Sequence, residues 1–236
     1  MKQSLHIIIP CYNPSQPDWA RTISTAFRQL EEQLDSIDLG LVLVNDGSVK
    51  GIQEKDFEFL RSSIPNCKII SYTENRGKGY ALRQGVAQSD ADFYVFTDVD
   101  FPYEERSMVE LITALLSKKG IAAGTRNQEY YLKVPLPRQI LSKLFRVFIR
   151  LLGIPVNDTQ CGLKGFDNEG KKIFLQTETD RYLFDFEFLV LAARAKSLKI
   201  YSVPVKLKEG IVFTKMGWNV IRAESVNFLR ILFRVS

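Results

Sequence analysis

The chain is poor in the residues that make special scaffolds. Its single histidine, His6, sits in a short apolar run without a cluster of partners and reads as structural. Its cysteines, Cys11, Cys67 and Cys161, are odd in number and lack Cys-x-x-Cys spacing. That argues against a disulfide framework and a zinc site, and for a reducing compartment. No uninterrupted apolar run is long enough to span a bilayer, and Met1-Lys2-Gln3-Ser4 leads directly into a strand-like segment without a signal-peptide core. Internal repeats, low-complexity tracts and linkers are also missing. The expected compartment is the cytoplasm.

What remains has ordinary globular proportions: 236 residues, 45% hydrophobic and 25% charged, enough to bury a sizeable core. One domain over 1–236 is expected. Lysine and arginine exceed the acids by 32 to 27, giving a net charge of +5, which suits an anionic partner. A nucleotide sugar, a lipid phosphate, a membrane surface and nucleic acid all qualify on charge alone.

Apolar runs at Leu5–Ile9, Leu41–Val44, Lys68–Tyr72, Phe93–Thr97, Ile121–Ala123 and Ile200–Val205 predict strands. Trp19, Ile23, Phe27, Leu30, Leu34 and Ile37 recur at helical spacing, with Pro17 suited to the first turn and Gly40 just past the end. Further helices are expected through Ala81, Leu82 and Val86, and through Met108, Leu111, Ile112 and Leu115. Strand and helix alternate, so the first half reads as a parallel-sheet α/β unit. Polar turns after Ile9, Val44, Tyr72 and Thr97 then share one sheet edge, where ligands of such sheets bind.

At that edge Phe93–Thr97 delivers Asp98 and Asp100, two carboxylates that could hold a divalent cation against a phosphorylated ligand. In Glu74-Asn-Arg-Gly-Lys-Gly79, two glycines flank Lys78 ahead of a helix, an arrangement that could bring backbone N–H groups and a cation to a phosphate. Asp158, Asp185 and Glu187 are candidates for general-base or orienting roles.

The second half carries basic amphipathic segments. Over 138–152, Lys143, Arg146 and Arg150 fall on one helical face, apolar residues cover the rest, and acids are missing. Near the carboxyl terminus Asn227, Arg230 and Arg234 oppose Ile221, Phe228, Leu229 and Leu232. Such helices lie in a headgroup layer, which predicts peripheral membrane attachment.

Together Pro10-Cys-Tyr-Asn13, Val44-Asn-Asp-Gly-Ser48, Asn75 to Gly85, Asp98-Val-Asp100, Gly124-Thr-Arg126, Asp158-Thr-Gln-Cys-Gly162 with Lys164, Phe184-Asp-Phe-Glu187, Val203-Pro-Val205 and Thr214-Lys-Met-Gly217 resemble the inverting family-2 glycosyltransferases. Within that family the chain resembles the dolichyl- or polyprenyl-phosphate sugar synthases, especially the dolichyl-phosphate glucosyltransferase type. The resemblance implies a GT-A fold, with a mostly parallel central sheet flanked by helices. It implies a nucleotide-sugar-binding half over 1–126 and an acceptor and membrane-interface half over 127–236. Pro10, Tyr12, Asn13, Asp46, Gly77, Lys78 and Asp98 would bind the nucleotide sugar. Asp98 and Asp100 would bring Mg²⁺ or Mn²⁺ to the diphosphate. Arg126, Arg138 and Lys215 would handle donor or acceptor phosphate, and Asp158 matches a position discussed as a base. Three positions depart from the pattern: Pro14 follows Asn13 where an acid is common, Asn45 replaces an aspartate, and Pro102 replaces a polar residue.

The implied reaction is transfer of glucose from UDP-glucose to a dolichyl or polyprenyl phosphate at the cytoplasmic membrane face. Transfer of mannose from GDP-mannose, or glycosylation of a saccharide hydroxyl, are the alternatives within the family. A non-catalytic membrane-surface or nucleotide-sugar-binding protein is the alternative outside it. Nucleic-acid binding is not expected, since the arginines are not interleaved with aromatics on a recognisable module.

Overall fold

A computed structural model describes residues 2–126, 149, 153–156, 158–195, 198–209, 227–228 and 230–231. Arg138, Lys215 and most of both basic segments lie outside the described residues.

The sheet is built from β1 (Gln3–Cys11), β2 (Ile37–Asp46), β3 (Cys67–Tyr72), β4 (Phe93–Phe96), β5 (Ile121–Arg126), β6 (Lys164–Asp167) and β7 (Ile200–Val205). They lie in the order β3-β2-β1-β4-β6-β5-β7, and β6 alone runs against its neighbours. The expected mostly parallel α/β sheet is therefore present, and β6 and β7 continue the sheet begun by β1 to β5.

Among the described residues, the helices that flank it are α1 (Trp19–Gln33), α2 (Glu54–Ser63), α3 (Lys78–Ala87), α4 (Glu105–Lys118), α5 (Asn168–Phe174) and α6 (Phe184–Arg194). The run Ile7-Ile8-Ile9 is apolar at successive positions because both faces of β1 are covered. Ile7 and Ile9 join Trp19, Phe27, Leu60 and Leu111 in one core, whereas Ile8 joins Leu82, Phe166, Phe174 and Phe188 in the other. In this second core Phe166 meets Phe174 at 5.2 Å and Phe188 at 5.3 Å between ring centroids. Truncating such a ring to alanine costs about 3–5 kcal/mol.

The boundaries differ from the sequence reading in one instructive place. The first helix stops at Gln33, Ile37 opens β2, and Gly40 lies inside that strand opposite His6 rather than past a helix end. A Cβ at Gly40 would stand 2.5 Å from the His6 ring, so close strand packing, not helix termination, requires glycine there. His6 is structural, as expected: its Nδ1 contacts the Ser89 hydroxyl.

Candidate active site at the carboxyl edge of the sheet

Every residue of β4 is buried, and the chain emerges from it into a tight turn over Asp98–Phe101. The Phe101 N–H donates to the Asp98 carbonyl at 3.0 Å. Phe101 adopts the left-handed region with φ 45°, uncommon for a bulky residue, and burial of its ring in the core holds it there. Behind it the Lys208 N–H donates to the Pro102 carbonyl at 2.8 Å, and Tyr103 bridges to Leu207. Pro102 thus ties the turn to the segment after β7 through its carbonyl.

Asp98 and Asp100 are half-buried. Lys78, the first residue of α3, places its Nζ 2.5 Å from Asp98 Oδ1. Burial opposes the charge on Lys78, yet Asp98, Asp185 and Asp100 together raise its pKa, so the ammonium persists. Burial raises the pKa of Asp100, and the neighbouring Asp98 charge adds to the effect. The far side of Asp98 is closed by Gly162, where a Cβ would stand 2.6 Å from Oδ2. Only glycine fits there without moving the carboxylate.

The glycine loop works differently from its sequence expectation. Its N–H groups bind protein acceptors: Arg76 and Gly77 donate to the buried Asp46 carboxylate at 2.8 Å each, and Gly79 and Tyr80 donate to the Asp180 carbonyl at 2.8 and 3.2 Å. Asn75 Nδ2 also reaches Asp46 Oδ2 at 2.8 Å. Of the expected phosphate-facing set, the Lys78 ammonium is the part turned toward the acid pair. Asp46, read as a nucleotide contact, shapes the loop that carries it.

The turn after β1 is tied to the turn after β2. Asn13, with φ 44°, accepts at Oδ1 from the N–H groups of Val49 and Lys50, and its own N–H donates to Ser48 Oγ at 3.0 Å. Asn45 Oδ1 accepts from the Ser48 N–H at 3.1 Å, an Asx-type turn that an amide makes as well as an acid. Tyr12 stands 50% exposed on this latched pair of loops, beside Pro10 at the end of β1. Its ring is open for stacking.

The second-half acids are each committed to a partner. Arg126, the last residue of β5, holds buried Asp158 by Nε at 2.7 Å and Nη2 at 2.8 Å. Burial alone would raise the Asp158 pKa, but the guanidinium keeps it below the usual carboxylate range. Asp185 accepts from Lys164 Nζ at 2.9 Å, a pair shut away from solvent. Glu187 accepts from the N–H groups of Glu178 and Thr179. Arg83 fastens the same loop through the Thr179 carbonyl and the Asp180 carboxylate. Of these anchors, Lys164 and Gly162 stand in the recognised sequence motifs without an assigned role. Arg83 stands within the motif from Asn75 to Gly85, also without an assigned role, and Asp180 carries no comparable signal.

Two hard carboxylates on a tight turn fit Mg²⁺ or Mn²⁺, and Asp98 takes a cationic group, the Lys78 ammonium, at one oxygen. Among the described residues no third histidine, cysteine or carboxylate completes a cage. Remaining ligands would come from diphosphate oxygens and water, the usual arrangement for Mg²⁺.

The chain is 29% identical over 226 residues to a dolichyl-phosphate beta-glucosyltransferase of Saccharomyces cerevisiae, covering 87% of this chain and 67% of that protein. It is 29% identical over 216 residues to one of Trichomonas vaginalis, covering 87% and 66%. It is 25% identical to a dolichol-phosphate mannosyltransferase of Pyrococcus furiosus, covering 84% and 54%. The chain therefore spans about two thirds or less of the length of these relatives. Two solved structures share the fold. The glucosyl-3-phosphoglycerate synthase of Mycobacterium tuberculosis, solved with uridine diphosphate, gives a TM-score of 0.67 at 14% identity and covers 99% of this chain and 80% of that one. A mannosyltransferase of Pyrobaculum calidifontis, solved with GDP-Man and Mn²⁺, gives 0.61 at 19%, covering 97% and 62%. The family model for glycosyl transferase family 2 matches residues 6–172, from β1 through the acid pair and Asp158 into α5, and the chain belongs to that family.

Proposed function

We propose that the chain carries out inverting, metal-dependent transfer of glucose from UDP-glucose to a dolichyl or polyprenyl phosphate. The observation that carries the acceptor class is the commitment of the second-half acids: Asp158 is held by Arg126, and Asp185 by Lys164. A sugar hydroxyl acceptor would need one of them to remove a proton. A lipid monophosphate has a second pKa near 6, so its oxygen is largely anionic at neutral pH and needs no strong base. The names of the yeast and Trichomonas relatives support the same acceptor and sugar.

In this reading Tyr12 stacks on the base, with Pro10 and Asn13 shaping the loop around it. Asp46 orders the turn that presents Lys78, and Lys78 adds positive charge beside the donor diphosphate. Asp98 and Asp100 would hold the divalent cation, which as a Lewis acid stabilises the charge that develops on a leaving nucleoside diphosphate. Arg126, kept rigid by Asp158, orients phosphate at the acceptor side, where the sequence also places Arg138 and Lys215. Residues 1–126 would serve the donor, and 127–236 the acceptor and membrane. Peripheral attachment at the cytoplasmic face is supported by the basic spacing of 138–152. Among the described residues no helix is long and apolar enough to cross a membrane.

The Pyrococcus relative favours a second donor, GDP-mannose. Labelled UDP-glucose and GDP-mannose, each supplied with dolichyl phosphate and Mn²⁺, separate the two. Label from UDP-glucose in an organic-extractable lipid that mild acid releases supports the proposal. Label in water-soluble oligosaccharide would overturn the lipid acceptor.

A further inference from the structure

The buried pair Lys164–Asp185 lies behind the acid turn rather than in it. Lys164 opens β6, its side chain 0% exposed, and it stands in register with Phe96, the last residue of the strand that delivers Asp98. Its Nζ donates to two acceptors: Asp185 Oδ1 at 2.9 Å and the Cys161 carbonyl at 2.5 Å. The next residue after Cys161 is Gly162, where a Cβ would stand 2.6 Å from Asp98 Oδ2, so its backbone runs close beside that carboxylate. On the other side Asp185, in the first turn of α6, holds the Lys164 ammonium in place. The backbone beside Asp98 Oδ2 is therefore anchored by a buried ion pair.

Such a pair is a poor source of stability. Desolvating two charges costs about as much as their attraction returns, and apolar replacements of similar volume are often neutral or stabilising. Its place is better explained by what it orients. Supports of metal ligands hold those ligands at a fixed angle and are worth about 10–100-fold in metal affinity.

We propose that Lys164 and Asp185 are positioning residues for the metal-bound diphosphate: Asp185 holds Lys164, and Lys164 fixes the Cys161–Gly162 backbone beside one oxygen of Asp98. This rests on the donor-site reading above. Neither residue touches the reacting atoms. The pair sets how the Asp98 carboxylate would be presented to the cation, while Tyr12, on the turn after β1, stands apart from it.

Titration of UDP, and of GDP in parallel, into the intact chain with and without Mn²⁺ tests the inference. Two variants are compared with wild type: Lys164→Met with Asp185→Leu, which replaces the pair by apolar side chains, and Asp185→Asn, which removes the charge alone. Thermal unfolding identifies which variants are folded, and Asp185→Asn carries the test if the double variant is not. In each folded variant the gain in nucleotide affinity from Mn²⁺ is expected to fall about 10–100-fold, while metal-free nucleotide binding is unchanged. A wild-type gain from Mn²⁺ that a folded variant retains in full would overturn the inference alone. So would an equal loss of binding with and without metal, the mark of a general structural defect. No gain from Mn²⁺ in wild type with either nucleotide would overturn the donor-site reading and this inference with it.

Discussion

Arg126 grips Asp158 at both carboxylate oxygens, Nε to Oδ2 at 2.7 Å and Nη2 to Oδ1 at 2.8 Å, and its backbone N–H adds a third contact at 3.2 Å. A carboxylate so engaged is a weak proton acceptor, because the same donors that stabilise its charge must be displaced before it can act. Two consequences follow for pH. The folded-state pKa of Asp158 lies below its unfolded value of about 3.9, so the stability it contributes is present above that value and is lost as pH falls through the lower one. Transfer at neutral pH should not titrate with this residue. Asp158→Asn is expected to slow transfer while leaving the acid limb of the pH–rate profile near the second pKa of the lipid phosphate. Loss of that limb in the variant would return Asp158 to the role of base.

The same pair has a measurable stability. Removing one partner of a buried ion pair costs about 3–5 kcal/mol, and both side chains are largely buried here. Asp158→Ala should therefore unfold at markedly lower urea concentration than wild type.

Gly162 tests the setting of the acid pair. A methyl group there would stand 2.6 Å from Asp98 Oδ2, so Gly162→Ala must turn the carboxylate or shift the turn. We expect weaker Mn²⁺-dependent nucleotide binding with a nearly unchanged melting temperature. Wild-type binding by Gly162→Ala would mean that the Asp98 carboxylate can move without loss.

Lys78 competes with any metal for Asp98 Oδ1. Lys78→Gln removes the competing cation and also removes positive charge from beside the diphosphate. The expected outcome has opposite signs: tighter Mn²⁺ binding to the chain alone, and weaker UDP binding in the presence of Mn²⁺. Equal weakening of both would show that the ammonium supports the metal rather than replaces it.

Glu187 acts at a distance through the loop it caps. Its carboxylate takes the N–H groups of Glu178 and Thr179, and the next carbonyl, from Asp180, caps α3. Glu187→Ala removes the acceptor that both part-buried N–H groups share. Hydrogen exchange at the Gly79 and Tyr80 amides should accelerate, whereas exchange in β1 should follow only the global loss of stability.

How much of this was legible beforehand follows from the residues. Strands buried on both faces, such as Ile7-Ile8-Ile9 and Leu41–Val44, announce themselves by unbroken apolar runs, and the acid pair is read directly off the end of one. Helix α2 buries only Phe57 and Leu60, too few for a period to show. Strand β6 reads Lys-Gly-Phe-Asp, with its lysine buried by a partner twenty-one residues away, so no alternation marks it. Gly40 was misread because a glycine after a helical run signals a cap, and only the His6 ring across the strand pair reveals the close approach. The site followed the same rule. Residue types at the sheet edge were visible, but their pairings were not, because Arg126 with Asp158 and Lys164 with Asp185 are made by tertiary contact. Asp158, Asp185 and Glu187, read as candidates for general-base or orienting roles, each meet a partner that only the fold brings near.

The central claim is metal-dependent transfer from the Asp98–Asp100 turn to a lipid phosphate. The most direct measurement is incorporation of label from UDP-glucose into dolichyl phosphate by wild type and by Asp100→Asn, with Mn²⁺ and again with chelator. The account predicts acid-labile, lipid-soluble label from wild type with Mn²⁺, and almost none with chelator or with the folded Asp100→Asn variant. Equal incorporation with and without chelator, or full activity of Asp100→Asn, would contradict it.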